Sequence, residues 1–236
     1  MGADPAGASG SGLVTSLVAL PLEPAPRPSS AVVRTIEDLA VFFEPTIDVA
    51  VLGRELSPSF AHYAATLARG GDFGWTERVR ADGEGLEALS RILPDGDGQG
   101  ELVDDVRKLV ELLADITGAE RVGVRLARLV APMCPRFHVD PVVVRLVATY
   151  SGAGAEWLDD HHVDRRFLGH AARGKRDEES GLLRPGAVVR RMKPGDVGLL
   201  KGKGFPGNER RGAVHRSPPQ TSADAPRLLL TLDPLD

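Results

Sequence analysis

The hydrophobic pattern of the chain changes its period near Arg121, and this change constrains the fold more than any other feature. Before it, apolar residues recur at helical spacing in three stretches, 60–67, 86–93 and 102–113. After it, apolar and polar residues alternate, beginning at residues 122–127, as they do on half-buried strands. The change predicts an α+β fold in which helices precede a β-rich core.

Short predicted strands separated by turn residues continue toward the C-terminus, which is typical of a barrel or jelly roll. A helix is also expected over residues 164–172. We therefore predict one domain over residues 31–236, with a mostly helical lead-in (31–120) and a β-barrel core (121–236). Residues 1–30, rich in Gly, Ala, Ser and Pro, are expected to form a disordered arm. Strands are predicted at residues 48–52, 75–80, 122–127, 136–140, 142–150, 187–192, 196–200, 212–215 and 227–232.

Composition narrows the classes of function. The 236 residues carry 29 Lys and Arg against 33 Asp and Glu, a net charge of −4, which gives no basis for bulk binding to nucleic acid or a membrane surface. A single cysteine, Cys134, rules out an internal disulfide and fits a reducing compartment. The apolar stretch at residues 13–22 is too short to span a bilayer and follows no basic segment. We expect a soluble, cytoplasmic protein.

Three residues of the β-rich half carry metal-ligating side chains: His138, Asp140 and His215. On an extended strand, His138 and Asp140 leave the same face, whereas Phe137 and Val139 point the opposite way and pack. Two imidazoles and one carboxylate hold a divalent metal on one side and leave its other positions open. The sequence therefore predicts a metal site, against the alternative that His138 and Asp140 form a solvent-facing polar edge.

Four motifs carry a resemblance to a known family. They are Met-Cys-Pro-Arg-Phe-His-Val-Asp at 133–140, Ala-Glu-Trp-Leu at 155–158, Gly-Asp-Val-Gly-Leu-Leu-Lys-Gly at 195–202 and Val-His-Arg-Ser-Pro at 214–218. Together they resemble a bacterial family of proteins of unknown function, DUF1826. The resemblance covers roughly residues 35–233, nearly everything except the N-terminal arm. The family has no settled activity, so the resemblance alone implies no function.

More distantly, the same residues resemble the double-stranded β-helix, a jelly-roll or cupin-like barrel, of Fe(II)/2-oxoglutarate-dependent oxygenases. This resemblance implies that His138, Asp140 and His215 bind Fe(II). It also implies that Arg227, on the following strand, forms a salt bridge with 2-oxoglutarate, a role that suits the bidentate guanidinium. Such enzymes often carry a hydroxyl residue two positions after the Arg, where this chain has Leu229. The implied function is a dioxygenase or hydroxylase acting on an unknown small-molecule or peptide substrate.

Two other functions fit the same residues. The two histidines and one aspartate also suit Zn(II), or another divalent metal, in a protein of the same fold without oxygenase activity. A barrel that has lost catalysis would serve as a binding module. Three further residues lie near the loop that leads to His215 and are candidate substrate contacts: Lys201, Lys203 and Asn208.

The stretch around the first histidine contains further candidates. Arg136 shares the predicted cavity face with His138 and is a candidate second carboxylate-binding residue. A role for Arg136 in a surface salt bridge is an equally good interpretation. Cys134 would lie roughly 13 Å from His138 on a continuous strand, at about 3.3 Å per residue, so it reaches the metal only if the chain turns sharply at Pro135. Arg145, on the next predicted strand, is expected to be structural.

Overall fold

A computed structural model describes residues 1–2 and 28–235 of the chain. The arm predicted for residues 1–30 lies outside these residues at positions 3–27. The strands of the described part are β1 Ser30–Val33, β2 Val49–Leu52, β3 Gly74–Arg80, β4 Arg121–Leu129, β5 Val144–Ser151, β6 Glu156–Leu158, β7 Arg190–Arg191, β8 Val197–Lys201, β9 Val214–Arg216 and β10 Arg227–Leu235. Its α-helices are α1 Pro58–Arg69, α2 Glu87–Ile92, α3 Gln99–Thr117 and α4 Asp177–Ser180, and its 3-10 helices are Glu37–Phe43, Asp160–His162, Arg165–Phe167 and Gly169–Ala172.

The strands form two sheets. The large sheet has seven strands in the order β1-β2-β8-β5-β10-β4-β3, and the small sheet has three in the order β7-β6-β9. Neighbouring strands are antiparallel except β1 with β2. The mixed α+β architecture predicted from the sequence is confirmed. Three of the strands in the large sheet precede residue 121, so the lead-in contributes strands as well as helices.

The helices form because their sequences supply both ends and a buried stripe. The α1 helix starts where the Ser57 hydroxyl accepts a hydrogen bond from the Phe60 N–H at 3.1 Å, with Pro58 at the first helical position. The α3 helix ends at Gly118, whose φ of 72° favours glycine. The apolar stripes of α1, α2 and α3 pack in one core with the even-numbered residues of β10. Each leucine buried there contributes roughly 1.5–3 kcal/mol to folding.

The opposite face of the large sheet packs on the small sheet and leaves room for a site. Along β10 the even residues Leu228, Leu230 and Leu232 belong to the helix-side core, whereas the odd residues Arg227 and Thr231 line a cavity. Part of the space between the sheets is filled by an apolar cluster. Its members are Val49, Val51, Val147, Ala155, Trp157, Met192, Leu200 and Ala213.

Three local predictions differ from the structure. The strand predicted at 136–140 is reduced to one bridge between His138 and His215, because the next N–H groups of the ladder donate elsewhere: that of Ala213 to the Lys201 carbonyl and that of Ser217 to the Cys134 carbonyl, each at 2.8 Å. The helix predicted at 164–172 is two short 3-10 helices, separated near Gly169, whose φ is 63°. The strand predicted at 187–192 pairs only at Arg190–Arg191.

No helix in the described part of the chain is both long enough and apolar enough to cross a membrane.

Candidate metal centre

Backbone pairing places the two histidines side by side. The His138 N–H donates to the His215 carbonyl and the His215 N–H donates to the His138 carbonyl, each at 3.0 Å. The two imidazole rings are consequently 4.5 Å apart, centroid to centroid. Asp140 follows two residues after His138, and one ligand atom from each of the three side chains lies within 4.8 Å of the others. The structure therefore brings together His138, Asp140 and His215.

Hydrogen bonds to carbonyls fix the orientation of both imidazoles. The His138 Nδ1 lies 2.9 Å from the Arg136 carbonyl oxygen, and the His215 Nδ1 lies 3.0 Å from that of Ala213. A carbonyl only accepts, so each Nδ1 carries the proton and donates it. Each Nε2 then faces the Asp140 carboxylate, at 3.2 Å for His138 and 3.4 Å for His215.

This arrangement requires positive charge between the three side chains. If the imidazoles are neutral, both Nε2 lone pairs point at carboxylate oxygens, and acceptors facing acceptors repel. Protons on Nε2 would relieve the repulsion, and so would a cation bound by all three groups. Histidines that bind metals typically donate their other N–H to a carbonyl or carboxylate, as these two do. The donor set thus fits a divalent metal with open positions.

The electrostatics of the site favour an ionised Asp140. Burial works against its charge, but hydrogen bonds from His138 and His215 and the nearby Arg145 outweigh burial and hold the pKa of Asp140 well below its ordinary value. Burial likewise depresses the pKa of His138, but its hydrogen bonds to Asp140 and to the Arg136 carbonyl outweigh that effect and raise the pKa. A carboxylate that stays ionised is available as a metal ligand.

Arg145 holds the carboxylate in place. Its Nη1 donates to Asp140 Oδ2 at 2.7 Å, while its Nε and Nη2 donate to the two oxygens of Asp233, each at 2.7 Å. Asp233 stands on β10, so Arg145 ties the metal-site loop to the large sheet. The sequence indicated a structural Arg145 but gave no signal for Asp233, because the two residues are 88 positions apart.

A cavity of about 310 Å³ adjoins the histidines and extends to Arg227. Arg227 is only 1% exposed. Its Nη2 donates to the Thr149 hydroxyl at 3.1 Å, but its buried Nε and Nη1 have no hydrogen-bond partner among the described residues. Burial lowers its pKa to about 10. The cavity is lined by Thr76, Gly123, Val124, Arg125, Met133, Cys134, His138, Arg145, Val147, Ala155, His215, Arg216, Ser217, Arg227, Thr231, Asp233 and Leu235.

Two residues near His138 lie elsewhere than the metal site. Arg136 forms an ion pair with Asp177 at 3.0 Å and is not among the described residues that line the cavity. The structure therefore does not bring Arg136 to the place of a second carboxylate-binding residue. Cys134 is exposed at the cavity and lies outside the group of converging ligand atoms.

The three residues predicted to contact substrate have different surroundings. Lys201 is buried, and its Nζ donates to the Glu44 carbonyl at 2.9 Å and lies 4.5 Å from the centre of the Phe205 ring. Asn208 is also buried and donates to Asp48 at 3.0 Å. Lys203 is exposed and lines a second cavity.

Comparison with known proteins agrees with the resemblance seen in the sequence. A family model described as "Protein of unknown function (DUF1826)" matches residues 34–233. No curated protein matches the chain.

Several solved structures are similar to this one at low identity. A dioxygenase for auxin oxidation from rice is 15% identical, covers 80% of this chain and 73% of its own, and has a TM-score of 0.44. The dioxygenase for auxin oxidation 1 from Arabidopsis thaliana, bound to 2-oxoglutarate, is 8% identical, covers 89% of this chain and 92% of its own, and has a TM-score of 0.49. Iron-bound HygX from Streptomyces hygroscopicus is 14% identical, covers 85% of this chain and 86% of its own, and has a TM-score of 0.46. With these TM-scores below 0.5, the three similarities decide neither the fold nor the function.

Proposed function

Because the chain belongs to DUF1826, a family of proteins of unknown function, we propose from its own residues that it is a mononuclear non-haem Fe(II) and 2-oxoglutarate-dependent dioxygenase. One observation carries the proposal. Three converging metal-ligating side chains line or adjoin a cavity that also contains a buried arginine, two of whose donors have no partner within residues 28–235. The first group suits a divalent metal, and the second suits the carboxylate of a bound cosubstrate.

The proposed fold of this enzyme is a double-stranded β-helix, and the path of the chain supports it. From β4 onward, the chain forms eight successive segments, of which the second is the segment at His138. The first, third, sixth and eighth (β4, β5, β8 and β10) lie in the large sheet. The second, fourth, fifth and seventh (the His138 segment, β6, β7 and β9) lie in the small sheet. The inner strands of the large sheet run in the order β4-β10-β5-β8. The corresponding order in the small sheet is the His138 segment, β9, β6 and β7.

In this proposal His138, Asp140 and His215 hold the metal. The bound Fe(II) would supply the oxidising chemistry of the overall reaction, in which 2-oxoglutarate, O₂ and R–H give succinate, CO₂ and R–OH. Arg145 keeps Asp140 ionised and aimed at the metal through its own pairing with Asp233. The Nδ1 hydrogen bonds keep both Nε2 atoms directed toward the metal.

Arg227 orients the cosubstrate. Its free Nε and Nη1 would donate to a carboxylate of 2-oxoglutarate, and this pairing compensates a buried charge that otherwise has no counter-ion among the described residues. Where Fe(II)/2-oxoglutarate-dependent oxygenases often carry a hydroxyl two positions after the arginine, the hydroxyl that Arg227 contacts in this chain belongs to Thr149 on β5. Val147 and Ala155 add apolar surface that limits water around the reacting groups.

Turnover tests the proposal. The purified chain, supplied with Fe(II), 2-oxoglutarate, O₂ and ascorbate as the reductant that takes the place of the unidentified R–H, is expected to form one succinate for each 2-oxoglutarate consumed. His138→Ala is expected to form none, whereas the matched His62→Ala variant, changed on an exposed position of α1, keeps the wild-type rate. Stoichiometric zinc in protein purified without added metal, with no binding of 2-oxoglutarate to the Fe(II) form, would instead favour a zinc protein without oxygenase activity.

A further inference from the structure

A second cavity, of about 550 Å³, shares His138 with the metal centre. It lies between the short 3-10 helices that follow β6 and the loop that joins β8 to β9. The residues lining it include His138, Arg165, Lys203, Glu209, Arg210 and Arg211. The loop is attached directly to the metal site, because the Lys203 N–H donates to the Asp140 carbonyl at 2.9 Å.

The lining of this cavity is strongly cationic. It contains four cationic side chains against one carboxylate, that of Glu209. Arg165 is held by Asp160 at 2.7 Å, and Arg211 by Asp48 at 3.1 Å. The charges of Arg165 and Arg211 are therefore paired with carboxylates, and the other two cations of the cavity are Lys203 and Arg210.

Donors remain free at this cavity. Neither Lys203 nor Arg210 forms an ion pair or a side-chain hydrogen bond with any residue from 28 to 235, and both are exposed. The buried Nε of Arg211 also lacks a hydrogen-bond partner within that range. A cavity with unpaired cations raises the local concentration of anions and suits an oxyanion that accepts from several donors at once.

We propose that this cavity binds the substrate of the dioxygenase, and that the substrate is a small molecule bearing an oxyanion group, phosphate or carboxylate, held by Lys203 and Arg210. The inference rests on the proposed function, since it assigns the substrate class of the same site. Arg227 in the first cavity serves the cosubstrate, so the cations of the second cavity are available for a second anion. The backbone link from Lys203 to Asp140 places that anion beside the metal-binding loop.

Binding of inorganic phosphate to the metal-free protein tests the anion site without any turnover. Titrations followed by amide NMR shifts, with chloride replaced at constant ionic strength, are expected to saturate and to move the resonances of residues 203–211. The double variant Lys203→Gln, Arg210→Gln should bind about tenfold more weakly, because two exposed charge contacts are removed. The matched variant Arg69→Gln, Lys108→Gln removes the same charge from exposed positions of α1 and α3 and should bind as the wild type does. Equal weakening in both variants, or no saturation in the wild type, overturns the inference.

A second measurement tests the position of the anion. With Mn(II) bound, the ³¹P signal of inorganic phosphate should broaden more with the wild type than with the Lys203→Gln, Arg210→Gln variant. Equal broadening with both would contradict the placement beside the metal. Succinate formation without phosphate binding would remove the substrate inference and keep the dioxygenase, whereas phosphate binding without 2-oxoglutarate turnover would leave an anion site and remove its role as a substrate site.

Discussion

Replacing Arg227 by Met is expected to stabilise the metal-free protein while abolishing cosubstrate binding. The guanidinium is 1% exposed and has one hydrogen bond, to Thr149, among the described residues. Burial lowers its pKa from the ordinary arginine range to about 10, so the folded state binds this proton less tightly than the unfolded state. The resulting cost of the charge is fully present at pH 7, below both the folded and the unfolded pKa, and begins to fall only as the pH rises above 10.

The size of the effect follows from the same pKa. At about 1.4 kcal/mol for each pH unit, burying the charged guanidinium costs about 3 kcal/mol. Methionine removes this cost, but it also removes the hydrogen bond from the charged guanidinium to Thr149, worth about 1.5–3 kcal/mol. The free energy of unfolding should therefore rise by about 0–1.5 kcal/mol, because a buried unpaired charge gives way to a flexible apolar side chain.

Urea unfolding of the metal-free protein at pH 7 measures this change, and a second arginine provides the matched control. Arg216 is also buried beside the cavity, but it pairs with Glu156 at 2.8 Å, with Asp177 at 3.1 Å and with Glu178 at 3.2 Å. Arg216→Met should therefore destabilise the protein by about 1.5–3 kcal/mol, since the buried Glu156 and Asp177 each lose one charged partner and keep only Arg191 and Arg136. Destabilisation by Arg227→Met of more than about 1 kcal/mol would refute the reasoning that Arg227 is held unpaired for a ligand.

Three further variants test other parts of the site. His138→Ala should reduce bound iron from one equivalent to a small fraction, as measured by metal analysis after anaerobic reconstitution; full retention would exclude His138 as a ligand. Asp140→Asn should flatten the acid-induced loss of unfolding free energy in the metal-free protein below about pH 5. Because the pKa of Asp140 is lower in the folded state, its carboxylate stabilises the folded protein at pH values above the unfolded pKa, near 3.9. This stability is lost as the pH falls toward the lower folded pKa. An unchanged dependence of the unfolding free energy on pH in Asp140→Asn would contradict this. Gly202→Ala should lower both thermal stability and metal affinity, because a Cβ there would overlap the Val142 carbonyl oxygen and approach the backbone of Asp140; Gly71→Ala, in open space, should change neither.

Local alternation made part of the site predictable. Phe137 and Val139 are buried together in one apolar cluster, while His138 and Asp140 turn toward the other histidine, as the period of two predicted. The same rule separates the apolar and cavity-facing residues of β10. This prediction succeeded although the segment is not a regular strand, because one bridge to His215 is enough to set which way each side chain points.

The partners of the arginines were not predictable from the sequence. Arg136 pairs with Asp177, 41 positions away, and Arg145 pairs with Asp233, 88 positions away. Which carboxylate pairs with each arginine depends on how the sheets and loops pack, and the local sequence pattern does not indicate it. The edge strand β1 and its parallel pairing with β2 also depend on tertiary packing, because four residues alone do not specify a partner.

Titration calorimetry of 2-oxoglutarate tests the central proposal most directly. Under anaerobic conditions, one equivalent of 2-oxoglutarate should bind to the Fe(II)-loaded wild type, and binding should be lost both in the metal-free protein and in Arg227→Met. Binding that is independent of the metal, or unaffected by Arg227→Met, would contradict a site in which the three ligands and this arginine hold one metal and one cosubstrate.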